Sequence, residues 1–480
     1  MSERVPERGE VERAGALAIV LHSHMPYVEG FGTWPFGEEW LFDAFLRSYA
    51  PVLEVAERLT LTVTPVLADQ LEAPGVGERL AAFGRRYRLA ASEEEAAEAA
   101  GSDPGLAAAF ADEAERYSSS LARLEECGGE PLELFRRARE RGVELAASAA
   151  THAVLPLVAT DAVRRLQIDA GLRSHRRRFG QPTGFWLPEC GYEPGLERLL
   201  AEHGLGWFCV DQSAYEEDLD ALAPVRTEAG PVAFTIDWTA IEWLWSWQGY
   251  PSDPLHSDFH RRSPRGGRPW SIAGAPRDPA ASRARAREQA REFLASAAQR
   301  LRKFHARRGR EGLLVFAVDT ELLGHWWWEG PHWLAEVLAG AQAEGLELLT
   351  LGEALERFEP DERPLRRGTW GEGKDFSTWD APEVADLAWG ARRLELHLLA
   401  RLGGRGVESA RALRAARELL AAQASDWTFL DKRKQAGDYP YQRATTHARN
   451  LFEALDSRRP PAPELRNLAP DLHLAPLFRS

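Results

Sequence analysis

A chain of 480 residues with 44% hydrophobic and 28% charged side chains has the make-up of a folded globular protein with a large core and two or three domains. A net charge of -14 argues against a nucleic-acid partner, and the longest early apolar run, Ala14–Leu21, is too short to span a membrane and lacks a signal-peptide cleavage pattern. Cys127, Cys190 and Cys209 lack metal-like spacing and form no disulfide framework, so a reducing cytoplasm is expected.

Short apolar, β-branched runs alternate with helical stretches along the chain. The strands read as Leu17–His24, Leu61–Leu67, Val143–Ala149, Gly184–Pro188, Trp207–Val210, Val232–Trp238 and Leu313–Val318, with Leu346–Leu351 a candidate eighth. Such alternation predicts a parallel sheet with crossover helices. A long helical insertion, residues 70–141, falls between the second and third strands, and Ser102-Asp103-Pro104 within it reads as a helix start. Beyond a breaker-rich stretch, Glu359–Trp379, helical patterns cover Val384–Leu402, Glu408–Ala424 and Tyr441–Leu455, and a Pro-rich tail begins at Arg458–Pro463. The predicted organisation is a catalytic barrel of residues 1–69 and 142–358, an insertion of 70–141 and a helical C-terminal domain of 359–480.

The polar residues that end these strands carry the functional signal. In chain order they are His22 and His24, Thr151 and His152, Glu189, Asp211, Asp237, then Asp319 and Glu321. Chemistry-capable side chains at successive strand C-termini mark the active face of a (β/α) barrel. An open doubly wound sheet would instead gather its ligands at one switch point, usually beside a Gly-rich loop, and the chain has no such loop.

Glu189 follows Pro188, which lacks a backbone donor and ends the strand, so its carboxylate sits at the rim. The plainer reading is a surface acid capping the next helix; Trp186 and Trp207 nearby weigh against it. Asp319 ends the longest apolar run of the second half, and Glu321, two residues on, projects to the same side. One of the two can act as acid/base while the other orients a sugar hydroxyl, and His325 with Trp326–Trp328 follows at once. Two acids delivered from apolar strands are what glycosidic bond chemistry requires. His22, His24 and His152 have two uses: they bind sugar hydroxyls or orient a carboxylate, or they ligate zinc in a metal-dependent hydrolase or deacetylase. Seventeen tryptophans suit the flat C–H faces of sugar rings, although some must pack the core. Asp426-Trp427 would lie as a lid over such a site, while Arg443 and His447 share a helix face and dock that helix.

These segments together resemble glycoside hydrolase family 57, and within it the α-1,4-glucan branching enzymes, along nearly the whole chain. His22-Ser23-His24-Met25-Pro26-Tyr27 is similar to the family's first motif, and the segment from Trp34 to Trp40 is similar to the stretch just after that motif. Thr151 to Pro156 resembles the second motif, Trp186 to Cys190 the third, Asp319 to Gly330 the fourth, and Ser425-Asp426-Trp427 with Tyr439, Arg443 and His447 the fifth. Thr369 to Gly373 and Trp379 resemble a further stretch of the branching group. The resemblance implies a (β/α)7 barrel with a helical insertion and an all-helical C-terminal domain, Glu189 as nucleophile, Asp319 as general acid/base, an α-1,4-glucan such as amylose or glycogen as substrate, and no metal or cofactor. It also implies substrate contacts for His22, His24, Trp34, His152, Trp186, Tyr250, Trp270, Glu321, His325, Trp370, Asp426 and Trp427. One stretch departs from the pattern: only Leu255 to Pro269 separates the loop at Tyr250 from Trp270-Ser271. That loop is shorter than the resemblance implies, so amylase-like hydrolysis and 4-α-glucan transfer stand beside branching as readings.

Overall fold

The computed structural model describes residues 13–214, 218–403, 409–456 and 467–478. Seven parallel strands form a closed ring: β1 (Gly15–Ser23), β2 (Thr60–Val63), β3 (Glu144–Ser148), β4 (Gly184–Trp186), β5 (Trp207–Asp211), β6 (Val232–Ile236) and β7 (Leu313–Asp319). Each pairs with the next, and β7 closes on both β6 (Ile236 opposite Val315) and β1 (His22 opposite Asp319). Nearly every strand residue is buried, as expected where helices cover the outside and side chains fill the inside. Leu346–Leu348 is a strand, as expected, but pairs only with Gly15–Leu17 of β1, below the point where β1 meets β2, so the ring keeps seven members. The second strand is shorter than predicted. It stops at Val63 because Pro65 opens the helix Pro65–Leu71, where its missing N–H costs nothing.

Between β2 and β3 the chain is helical, and its longest helix, α1 (Pro104–Glu126), starts where the sequence indicates, with Asp103 accepting from the Leu106 amide at 3.0 Å. Buried polar pairs join this insertion to the helices after β1. Arg88 clasps Asp43 with two bonds of 2.6 Å, and Arg47 donates to the Tyr117 hydroxyl at 2.7 Å. The barrel crossovers include α2 (Asp161–Phe179), α3 (Trp238–Trp245) and α4 (Pro279–Arg308). Asp237, one of the strand-end acids, caps α3 and is held by Arg300 at 2.7 Å, so its role is architectural.

The C-terminal region is helical: α5 (Ala385–Leu402), α6 (Ala410–Ala422), α7 (Ser425–Arg433) and α8 (Tyr439–Asp456). The sequence pattern does not set α7 apart as a helix of its own. Glu408 and the Pro-rich Arg458–Pro463 lie outside the described residues. Arg443 and His447 dock α8: Arg443 donates to the Tyr27 carbonyl at 3.0 Å and covers the Phe31 ring, while His447 bonds Glu418 at 2.7 Å. Among the described residues no helix is long and apolar enough to cross a membrane.

Candidate active site

The C-terminal ends of β1, β3, β4 and β7 converge beneath α7. Glu189 follows β4 in a left-handed backbone conformation (φ 61°, ψ 21°), and His152, after β3, has φ 60°. Left-handed non-glycine residues cost about 1 kcal/mol or more and persist where the surroundings fix them, commonly at working sites. Gly184, at the base of β4, is needed for close packing: a Cβ there would stand 1.9 Å from the Trp207 indole.

Glu189 is held by two donors. The Trp370 indole N–H donates to Oε2 at 2.7 Å and the Ser425 hydroxyl to Oε1 at 2.8 Å. Burial pushes its pKa up; the Trp370 and Ser425 hydrogen bonds and the charge of His24 work against that rise and favour the anion. Behind it runs a hydrogen-bonded row. Ser425 meets His152 Nδ1 at 2.9 Å, His152 Nε2 meets His22 Nε2 at 2.9 Å, and His22 Nδ1 meets Thr62 at 2.6 Å. Burial, with the neighbouring imidazoles, holds His22 and His152 well below the usual histidine range, so both are neutral. Trp186, fully buried, stacks under His22 with ring centres 4.8 Å apart.

Asp319 has the opposite surroundings. Among the described residues no side-chain donor reaches its carboxylate, and burial, then the charges of Glu321 and Glu189, drive its pKa well above the usual carboxylate range. Glu321 accepts from the Tyr49 hydroxyl and from the His24 amide, the latter at 3.1 Å, and burial pushes it up to about 7 despite those bonds. His24 Nε2 bonds Asp426 at 3.0 Å; burial would lower this histidine, but the Asp426 charge and hydrogen bond outweigh it and raise its pKa. The two carboxylates therefore differ: Asp319 has acids beside it, which add to the rise that burial causes, whereas Glu189 has donors that work against that rise.

Two cavities share these carboxylates. One, about 600 Å³, is lined by His22, His24, His152, Glu321, His325, Trp326 and Asp426; the other, about 470 Å³, by Trp238, Glu242, Trp245, Lys374 and Thr378. Glu189, Asp319 and Trp370 line both, and each volume is in the range of ligand sites.

The predicted contacts therefore divide. His22, His24, His152, Glu321, His325, Trp370 and Asp426 gather at the cavity, with Trp186 stacked behind. Trp34, Tyr250, Trp270 and Trp427 do not reach it. Trp34 lies on Phe83 and Tyr87, Tyr250 packs toward Trp333, and Trp270 lies under the Arg261 guanidinium. Trp427 is buried under α7 with its N–H on the Ala421 carbonyl, so only Asp426 of that pair faces the site. Sequence reasoning missed Trp40, Phe259, Tyr49 and Ser425. Trp40 and Ser425 stand inside the family-like segments; Tyr49 and Phe259 arrive only through tertiary packing. Phe259 belongs to the short loop, which is tied to the insertion by Arg268 N–H to Glu113 (2.6 Å) and Ser263 to Glu95 (2.9 Å).

The three histidines stack face to face, with centres of His24 and His152 4.0 Å apart, and their nitrogens bond one another, Thr62, Thr64, Ser425 and Asp426. They do not converge on a point, and among the described residues no group of three metal-type ligands forms. Treatment with a strong chelator is accordingly expected to leave turnover within about twofold. Ser425→Ala has the opposite expectation: one donor to Glu189 is lost, its pKa rises further, and the acid limb of the pH–rate profile moves to higher pH. kcat/KM falls about 10-fold, in line with loss of a hydrogen bond to a charge.

Residues 18–365 match the family model described as glycosyl hydrolase family 57, and the chain belongs to that family. Residues 396–470 match a second model, described as the C-terminal region of 1,4-alpha-glucan branching enzyme. A 1,4-alpha-glucan branching enzyme of Thermococcus kodakarensis is 33% identical over 91% of this chain and 73% of its own. A probable 1,4-alpha-glucan branching enzyme of Mycobacterium tuberculosis is 33% identical over 90% of both. The crystal structure of a family 57-type branching enzyme from Pyrococcus horikoshii superposes with a TM-score of 0.91 at 30% identity, covering 97% of each chain.

Proposed function

We propose that the protein is a retaining 1,4-alpha-glucan branching enzyme, working in the cytoplasm in glycogen biosynthesis. The observation that carries the mechanism is the unequal environment of two buried carboxylates on one cavity: donors on Glu189, acids around Asp319. Glu189 attacks the anomeric carbon of an α-1,4-linked glucose. The C1–O4 bond breaks, and the Asp319 proton passes to the departing 4-oxygen. A covalent glycosyl ester on Glu189 results. The esterified Glu189 no longer carries charge, so one cause of the raised Asp319 pKa disappears and Asp319, its proton already given up, stays ionised and available as the base. It takes the proton of an acceptor 6-hydroxyl as the new C1–O6 bond forms and the ester bond breaks. His24, Asp426, His325 and Trp370 are positioned to bind sugar hydroxyls and faces.

Incubation with amylose tests this reading. New α-1,6 linkages, counted by enzymatic debranching, should exceed new reducing ends. Reducing ends without branches would reassign the chain as a hydrolase, and redistribution of linear chain lengths alone as a 4-α-glucanotransferase.

A further inference from the structure

Tryptophan is seldom left in water, yet Trp326 is 38% exposed, Trp245 47% and Trp247, two residues further on, 83%. Trp326 lines the first cavity and Trp245 the second, and the two rings meet edge to face with centres 6.0 Å apart. They form the rim at which both cavities open. Trp247 stands two residues past the end of α3. The Gly249 amide bonds the Ser246 carbonyl at 2.8 Å to close a tight turn there. Gly249 is needed for that turn, since a Cβ would come 2.1 Å from the Leu244 carbonyl oxygen. The turn holds the Trp247 indole outward, and among the described residues no aromatic ring or cation packs on it. An indole fixed in water beside a cleft contributes nothing to the core, so its use is external.

We propose that Trp247, with Trp245 and Trp326, is a stacking platform for an α-glucan chain outside the catalytic cavity, several glucose units from the bond being cut. The occupant is set by continuity. The platform begins at a cavity wall that Glu189 and Asp319 also line, and a polymer threading that cavity must leave across the rim. The platform selects long chains over short ones. This inference rests on the α-glucan reading of the site.

The test compares wild type, Trp247→Ala and Trp247→Phe on amylose and on maltoheptaose. In Trp247→Ala the amylose-to-maltoheptaose ratio of kcat/KM should fall about 3- to 10-fold, through KM for amylose, as expected for loss of one aromatic stacking contact. Trp247→Phe should recover most of it, and thermal unfolding should not move. A ratio equal to wild type in an active Trp247→Ala enzyme overturns the platform alone. Wild type that neither binds nor converts amylose overturns the functional reading and the platform with it. A dimeric wild type made monomeric by Trp247→Ala, with the ratio unchanged, gives the surface to a second copy of the chain and overturns the proposal.

Discussion

Glu189→Gln should reduce formation of α-1,6 linkages from amylose by at least about 10³-fold, because the amide cannot form the glycosyl ester. The substitution is close to isosteric. Trp370 can still donate to the side-chain oxygen at the position of Oε2, while the Ser425 hydroxyl would face an amide group it can rotate to accept from. The fold therefore has no reason to suffer, and the electrostatics favour the variant. Burial raises the folded-state pKa of Glu189 above its ordinary value of 4.5. A group raised in this way supports the fold fully below its unfolded pKa, and that support is lost as pH rises through the folded pKa. At neutral pH the wild-type carboxylate thus carries a cost that glutamine does not. The expected outcome is an inactive protein whose melting temperature equals or exceeds that of wild type at pH 7. A clear fall in melting temperature would mean that activity is lost through structure, and the nucleophile assignment would lose its support.

The barrel was largely legible in the sequence because its strands are buried on both faces and read as uninterrupted apolar runs. The acids that end two of them, Glu189 and Asp319, stand out against that background as candidates, and both line the same cavities. The tryptophans were harder. Trp186, Trp370 and Trp427 look alike in sequence, yet one stacks under a histidine, one donates to Glu189 and one is buried in helical packing. What separates them is the orientation of α7 and of the 369–379 segment on the barrel, set by contacts hundreds of residues apart. Ser425 shows the same limit. Its hydroxyl joins His152 to Glu189 across 273 and 236 positions of sequence, and no local pattern encodes that meeting. Tyr49 is a further case, an ordinary buried tyrosine until β7 brings Glu321 against it.

Glu321→Gln isolates the second half of the electrostatic argument. For the first step Asp319 must hold a proton, so the rate falls as pH rises through its pKa in the complex with substrate. Burial is the first cause of that raised pKa, and the Glu321 charge comes next, ahead of Glu189. Glutamine at 321 keeps a carbonyl for Tyr49 and the His24 amide but removes the charge. The Asp319 pKa should drop, and the alkaline limb of kcat should move to lower pH by about one unit, the lower end of what a like charge at close range produces. At a fixed pH on that limb, one unit is close to a tenfold loss of rate. Stability supplies an independent readout. Glu321 is raised from 4.5 to about 7, so the stability it contributes is complete below about 4.5 and disappears as pH rises through about 7. Wild type should therefore lose melting temperature across that window relative to Glu321→Gln, while the variant loses rate. An alkaline limb that stays in place would show that burial alone keeps Asp319 protonated and that Glu321 acts only by holding His24 and Tyr49. A limb that moves as expected would make the pair of acids at the end of β7 a single device, one carrying the proton and the other keeping it there until Glu189 has reacted.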